Sequence, residues 1–430
     1  MTGQRVPRRI GFVTQWFAPE PSVQPVRIAR SLRDAGHDVQ VLTGVPNYPT
    51  GRVHVGYRAS RTAQETYEGM SVRRTPLYPS HDSNALGRMF NYLSWAVSST
   101  LLGGKALRDR EVTLVYSSPA TAAMTAMAAR RLYGVPYVLL IQDVWPDSVF
   151  SSGFLGGRSG RFLERILNIF VDRTYAKAAR VAVISPGMKD LLVSRGVDPE
   201  KIVLVYNAVE EDPSAIDVAQ VELARSELGI EDDDVVFMYA GNHGAAQGLK
   251  ALVDAVGMLP GDSRVKLVMV GDGMEKAVLQ SAVGASGSNR IIFLPPVPRS
   301  EMPVLMRLSD IQVVALADRP LFSVTMPSKV QSILAAGRPL LVIAQGDVAD
   351  VVQDSGSGAV ARPGDPQGIA VALESLAAES SDHLAAMGAA GREYYEIEMS
   401  PERNMERLLE ALEVSARETP EASESRTSTR

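Results

Sequence analysis

The stretch Val235-Val236-Phe237-Met238-Tyr239-Ala240-Gly241-Asn242-His243-Gly244-Ala245-Ala246-Gln247-Gly248-Leu249 decides the fold class. Its first six residues are an apolar, β-branched and aromatic run of the kind that is buried on both faces of a sheet. The run stops at a glycine, and Gly248-Leu249 opens onto a helical pattern. A strand that passes through a glycine-rich loop into a helix begins a βαβ unit, and such units stack into parallel, doubly wound sheets. Glycines let backbone amides approach an anion, and the helix N-terminus adds partial positive charge. Gly241, Asn242, His243, Gly244, Gln247 and Gly248 are therefore candidate ligands of a diphosphate. The other reading of the same residues is a ligand-free glycine turn, since the segment is neither a Walker loop nor GxGxxG.

Working outward, further strand-like runs at Val265–Val270, Ile291–Leu294, Ile311–Ala315 and Pro339–Ile343 alternate with helical patterns. Upstream the same alternation runs through Arg9–Gln15, Val39–Thr43, Ser71–Thr75, Val112–Ser117, Tyr137–Gln142, Arg180–Ile184 and Ile202–Tyr206, with a helix expected over Val26–Ala35 before the stop at Gly36. Glu210–Val221, with Asp, Pro and Ser, reads as a connector. At 430 residues and 45% apolar composition the chain suits two domains. The expected boundaries are 1–208 for an N-terminal Rossmann-like domain and 209–400 for a C-terminal one. A helix at 401–416 and a Ser/Thr/Glu/Arg-rich, disordered tail at 417–430 complete the division.

Ligands of such sheets bind beyond the carboxyl ends of the strands. A second strand–glycine–helix junction there is Gly271-Asp272-Gly273. A third segment, Pro327-Ser328-Lys329, carries helix-start residues, and a lysine in a first turn opposes the helix dipole unless an anion waits beside it; the alternative is a snorkelling surface lysine. In the first half, Asp143 follows a strand beside Trp145 and Pro146, where it can orient a hydroxyl or simply cap a turn. Gln15 and Trp16 follow the first strand in the same way. The five histidines have no metal-like spacing, and Asp232-Asp233-Asp234 precedes a strand, as a solvated turn does. No metal and no cofactor is expected.

The net charge of -5 argues against a surface built for nucleic acid. It conceals an asymmetry: residues 1–201 hold 26 Lys and Arg against 15 Asp and Glu, and the remainder 18 against 34. A basic half fits phosphate or anionic-lipid contact as well as ordinary solvated arginine. With no cysteine, disulfides and thiol chemistry are excluded. The N-terminus lacks a signal-peptide pattern and no apolar run is long enough to span a bilayer, so a cytoplasmic protein is expected. The segment from Leu86 to Val97, continued by Leu101, Leu102, Lys105 and Arg108, reads either as an interfacial helix on an anionic inner-membrane surface or as a buried helix between two strands.

Taken in order, these segments resemble glycosyltransferase family 4, the group 1 glycosyltransferases. Within it they are most similar to bacterial transferases of O-antigen, capsule and colanic acid assembly, including those assigned as acetylfucosamine transferases. The likeness is carried by Gln15-Trp16-Phe17-Ala18-Pro19-Glu20, Ala35–Gly44, Pro46-Asn47-Tyr48-Pro49-Thr50-Gly51 and Gln142-Asp143-Val144-Trp145-Pro146-Asp147, followed by the Gly241 loop, Gly271-Asp272-Gly273, Pro327-Ser328-Lys329 and Ala335-Ala336-Gly337-Arg338-Pro339. It covers about residues 8–412.

The resemblance implies the GT-B fold, two Rossmann-like doubly wound domains facing a central cleft, and a metal-independent, retaining transfer from a nucleotide-diphosphate sugar, with a UDP-sugar favoured. The acceptor it implies is a glycan or polyprenyl-linked sugar, on a side formed by Gln15, Trp16, Asn47, Tyr48, Asp143 and Trp145. It also implies a last helix that crosses back toward the N-terminal domain.

Three departures stand out. Where many members have Glu-x7-Glu this chain has Val324 and Ser332, so ribose contact falls to Ser332 or Gln331. Where many have Arg and Lys in the first loop it has Asn242 and Gln247, which leaves the cationic role to Lys329. Pro21–Pro25 stands where relatives carry paired glycines. Alternatives from other classes are a GT-B nucleotide-sugar epimerase and a non-catalytic nucleotide-sugar-binding protein.

Overall fold

The computed structural model describes residues 6–80, 85–147, 157–209, 217–286, 289–298 and 300–418. Most of the expected connector (210–216) and the tail from 419 lie outside them. The chain divides into two compact units, one formed by the sequence up to Asn207 together with that from Asn404, the other by Ala208–Arg403.

The first unit is built on eight strands: β1 (Arg9–Val13), β2 (Asp38–Gly44), β3 (Ala63–Tyr67), β4 (Met70–Thr75), β5 (Val112–Ser117), β6 (Tyr137–Ile141), β7 (Arg180–Val183) and β8 (Ile202–Leu204). Their order is β3-β4-β2-β1-β5-β6-β7-β8, parallel except for the edge pair β3 and β4. Strand β3 was not among the expected strands. Its sequence, Ala-Gln-Glu-Thr-Tyr, is polar, and only a tight turn at Glu68 and Gly69, both at positive φ, folds it onto β4. The expected helix Val26–Ala35 is in fact Val23–Asp34, so Pro21–Pro25 runs straight into the helix, with Ser22 at its N-cap position but making no side-chain capping bond. Helix Pro401–Arg417 packs on this unit from Asn404 onward, where the Asn404 side chain accepts the Tyr206 amide at 2.6 Å and Arg180 pairs with Glu418.

The second unit holds β9 (Val235–Ala240), β10 (Val265–Val270), β11 (Ile291–Leu294), β12 (Ile311–Ala315), β13 (Leu340–Ile343) and β14 (Gly358–Ala361) in the parallel order β11-β10-β9-β12-β13-β14. Alternation along β9 explains the double winding. Phe237 and Tyr239 join the core beneath helices Leu249–Gly257 and Pro366–Ala377, while Val236 and Met238 face Leu305 and Leu308 on the other side. The chain leaves β9 for β10 on one side and returns to β12 on the other, so the switch point lies at the carboxyl ends of β9 and β12. Strand β14, Gly-Ala-Val-Ala, was also unexpected, because its small residues form no apolar run.

Candidate functional site

At the switch point of the second unit, the glycine loop and two other segments converge. The Ala246 carbonyl accepts the Ala317 amide just after β12, and Gly248, at φ +60°, turns the chain into helix Leu249–Gly257. The amides of Gly244, Ala245 and Ala246 have no acceptor among the described residues. Ala245 is exposed, Ala246 half-buried and Gly244 buried. Unsatisfied amides at a helix entrance are an anion-binding arrangement.

The Gly271-Asp272-Gly273 junction lies directly against this loop. His243 donates its amide to the Asp272 carbonyl at 2.7 Å, and the Glu275 amide returns to the His243 carbonyl. A Cβ on Gly271 would stand 2.0 Å from the Gly241 carbonyl oxygen, and one on Gly273 2.4 Å from that of His243. Glycine is required there by backbone-to-backbone contact. Lys276 is occupied in the same stack, its ammonium donating to the Gly271 and Leu294 carbonyls.

Lys329, second residue of helix Ser328–Ala335, reaches under the loop. Its Nζ lies 3.2 Å from the Ala240 carbonyl and 4.5 Å from the centroid of the Tyr239 ring, and a Cβ on Gly241 would meet it at 2.8 Å. Among the described residues no carboxylate contributes to its environment, and burial lowers its pKa to about 8. Desolvation disfavours the cation, and a ligand anion would reverse that effect. Tyr239, a core residue of β9, also donates its hydroxyl to the Asn242 carbonyl.

The other expected residues of this unit differ in accessibility. The His243 ring is completely buried between Tyr239 and Phe293. Burial first, then the Lys276 charge, lowers its pKa. Asn242 donates to Gln247 across the loop at 3.3 Å. Gln331 is 1% exposed with its Oε1 unpartnered, Ser328 is exposed and the Ser332 hydroxyl turns back to the Ser328 carbonyl. Pro327 occupies the N-cap position.

In the first unit, the carboxyl ends of β1, β2 and β6 bring the acceptor-side candidates together. Gln15 and Asn47 are buried and linked through Asn91, whose side-chain carbonyl accepts from Gln15 and whose amide donates to Asn47 at 3.2 Å. Above this amide chain lie aromatic rings: Trp16 is 5.6 Å from Tyr48 and 6.0 Å from Tyr92, and Tyr92 is 6.1 Å from Trp145. Glu20 is buried, accepting the amides of Phe17, Asn47 and Tyr48; desolvation outweighs those bonds and raises its pKa. Asp143 accepts a long 3.4 Å bond from Ser118. Its side chain keeps access to water, yet the protein crowding it raises its pKa through desolvation. Nothing local in helix Ala85–Ser98 marks Asn91 and Tyr92 as site residues, because the helix carries no chemical motif.

Comparison with known proteins agrees with this architecture. Residues 21–208 match the family described as glycosyl transferase 4-like domain, and residues 220–394 that described as glycosyl transferases group 1. WcaI of Escherichia coli (strain K12), named for colanic acid biosynthesis, is 29% identical over 73% of this chain and 77% of its own length. WbjE of Pseudomonas aeruginosa, named as a glycosyltransferase, is 23% identical over 68% and 72%. Among solved structures, Anabaena HepE in complex with UDP superposes with a TM-score of 0.67 at 16% identity, covering 94% of this chain and all of HepE. WaaG, a glycosyltransferase involved in lipopolysaccharide biosynthesis, gives 0.61 at 15% identity, covering 94% and 99%. Two family matches in tandem, each over one of two parallel-sheet units, show that the chain belongs to the group 1 glycosyltransferases and has the GT-B fold.

Proposed function

We propose that this glycosyltransferase performs a retaining, metal-independent transfer from a nucleotide-diphosphate sugar, preferentially a UDP-sugar, to a glycan or lipid-linked acceptor in cell-surface polysaccharide assembly. The observation that carries the reading is Lys329, a desolvated cation with no carboxylate partner among the described residues, set beneath a loop whose Gly244–Ala246 amides are unengaged by those residues. Together they supply the positive potential that a departing nucleoside diphosphate needs, without a metal. HepE, crystallised with UDP and with UDP-glucose, supports the UDP preference, and WcaI, named for colanic acid biosynthesis, supports the polysaccharide assignment.

In this reading the diphosphate lies on the Gly241–Gly248 loop and Lys329. His243 and Gly271-Asp272-Gly273 support the loop, and Ser328, Gln331 and Ser332 lie toward the ribose. The acceptor ring stacks on Trp16, Tyr48, Tyr92 and Trp145. With retention, the bond from the anomeric carbon to the diphosphate oxygen breaks on the face where the acceptor oxygen bonds, and the leaving phosphate takes the hydroxyl proton. Asp143 orients that hydroxyl.

A panel of UDP-, GDP-, ADP- and dTDP-sugars tests the donor, because a ligand that binds only the folded state raises the unfolding temperature. A mycobacterial relative named as a GDP-mannose-dependent alpha-mannosyltransferase makes GDP-mannose the essential control. The expected result is a shift with UDP-sugars and a product of unchanged anomeric configuration at full rate in EDTA. A strict divalent-ion requirement, or inversion at the anomeric carbon, overturns those parts. Donor interconversion without acceptor points instead to an epimerase.

A further inference from the structure

Helix Ala85–Ser98, with the π-helical turn Ser99–Gly103 that continues it, has apolar residues on two opposite faces. Trp95, Ala96 and Ser99 are buried in the first unit with Asn91. On the other side Phe90, Leu93, Val97 and Leu101 recur at intervals of three and four and are 63%, 42%, 50% and 74% exposed. Leu102 and Tyr78 widen the stripe, the Tyr78 ring standing edge-on to Phe90 at 6.4 Å. Of the two readings the sequence left open, a helix buried between strands accounts for the first face only. A contiguous apolar strip facing water needs a partner.

The charge around the strip selects that partner. Residues 85–108 contain no Asp or Glu, and Arg88, Lys105 and Arg108 flank the stripe. Arg73 also reaches the strip's edge, its guanidinium donating to the Leu102 carbonyl. A symmetric pairing with a second copy would bring no carboxylate from 85–108 to face these cations. An anionic lipid surface is complementary to both features at once. Among the described residues no helix is long and apolar enough to cross a membrane, so the contact it can make is interfacial.

We propose that this face docks the protein on an anionic bilayer, with Phe90, Leu93, Val97 and Leu101 at the boundary between headgroups and acyl chains and Lys105 and Arg108 among the headgroups. The same helix carries Tyr92 into the aromatic cluster with Trp16 and Trp145. Resting on the acceptor reading proposed above, docking would present a lipid-linked sugar to that cluster from the membrane.

The test is co-sedimentation of the full chain with vesicles of phosphatidylcholine alone or mixed with phosphatidylglycerol, at low and high salt. Binding to the mixed vesicles, weakened by salt, is expected. The variant Phe90→Ser/Leu93→Ser/Val97→Ser/Leu101→Ser should lower that partition at least about tenfold while turnover of a water-soluble acceptor persists. Leu101→Asp alone, at the most exposed position, reads the same loss if the quadruple variant fails to fold. Lys105→Gln/Arg108→Gln should remove the preference for anionic lipid. The proposal fails if the unaltered protein leaves anionic vesicles unbound at low salt or if the serine variant binds as well. It also fails if the stripe instead sustains a dimer that the variant dissolves. Donor binding and soluble-acceptor turnover are unaffected by that failure, so it is distinguishable from failure of the glycosyl-transfer reading.

Discussion

The Lys329 ammonium rests 4.5 Å from the centroid of the Tyr239 ring, beneath the loop that begins at Gly241. The ring face and the Ala240 carbonyl hold the cation where no carboxylate of the described residues neutralises it. Removing the charge by Lys329→Ala should weaken nucleotide-sugar binding or turnover at least about tenfold, the loss of a charge-assisted contact of roughly 1.5–3 kcal/mol. Calorimetric titration with UDP and steady-state kinetics measure it, and unchanged values in a folded variant would make Lys329 an ordinary lysine.

The same desolvation has an opposite effect on the free protein. With its folded-state pKa lowered to about 8, below the ordinary value of 10.5, Lys329 is relatively favourable to folding only above its unfolded pKa. That contribution disappears as pH falls through about 8, where the cation must be carried in a poorly solvated place. Lys329→Met should therefore raise the unfolding temperature of the ligand-free protein at pH 7, with the gain shrinking toward pH 10. UDP-dependent stabilisation should change in the reverse sense. Thermal denaturation from pH 6 to 10 with and without UDP follows both.

Gly271→Ala tests the stack of loops. Gly271 has φ +132°, and its added Cβ would meet the Gly241 carbonyl oxygen at 2.0 Å. Strain of about 1–3 kcal/mol is expected, together with loss of donor affinity as the Gly241 loop shifts. Chemical denaturation and UDP titration report the two effects, and donor affinity equal to the parent's would separate the junction from the loop.

Asn91→Ala would remove the acceptor of the buried Gln15 side-chain N–H and the donor to the Asn47 side-chain oxygen. A loss of about 1–3 kcal/mol in stability is expected, with a higher KM for acceptor and little change in UDP affinity. If acceptor KM stays constant, the amide chain is scaffold alone.

Asp143 has a raised pKa, so its carboxylate is lost at a higher pH than an ordinary aspartate would be. Activity should fall on the acid side, and Asp143→Asn should remove that limb of the profile and lower kcat by about a hundredfold. Retention of the acid limb in the variant assigns the titration elsewhere.

What the sequence determined by itself was the periodic part. β9, β10, β11 and β12 occupy the expected residues because strands buried on both faces are written as continuous apolar runs between helix signals. The glycine loop, Gly271-Asp272-Gly273 and the helix start at Pro327-Ser328 were legible because caps and close turns restrict residue type locally. Tertiary structure decided the rest. β3 is polar and β14 small-sided, so each is a strand only because a neighbour offers its edge. Which glycine must be a glycine followed from the meeting of two loops some thirty residues apart, and the neighbour of Lys329 from a ring 90 residues earlier. The second face of helix Ala85–Ser98 is apolar like the first, and only packing shows that the fold leaves it uncovered. Hydrophobic pattern specifies that a side chain can be buried, whereas the partner available in the fold decides whether it is.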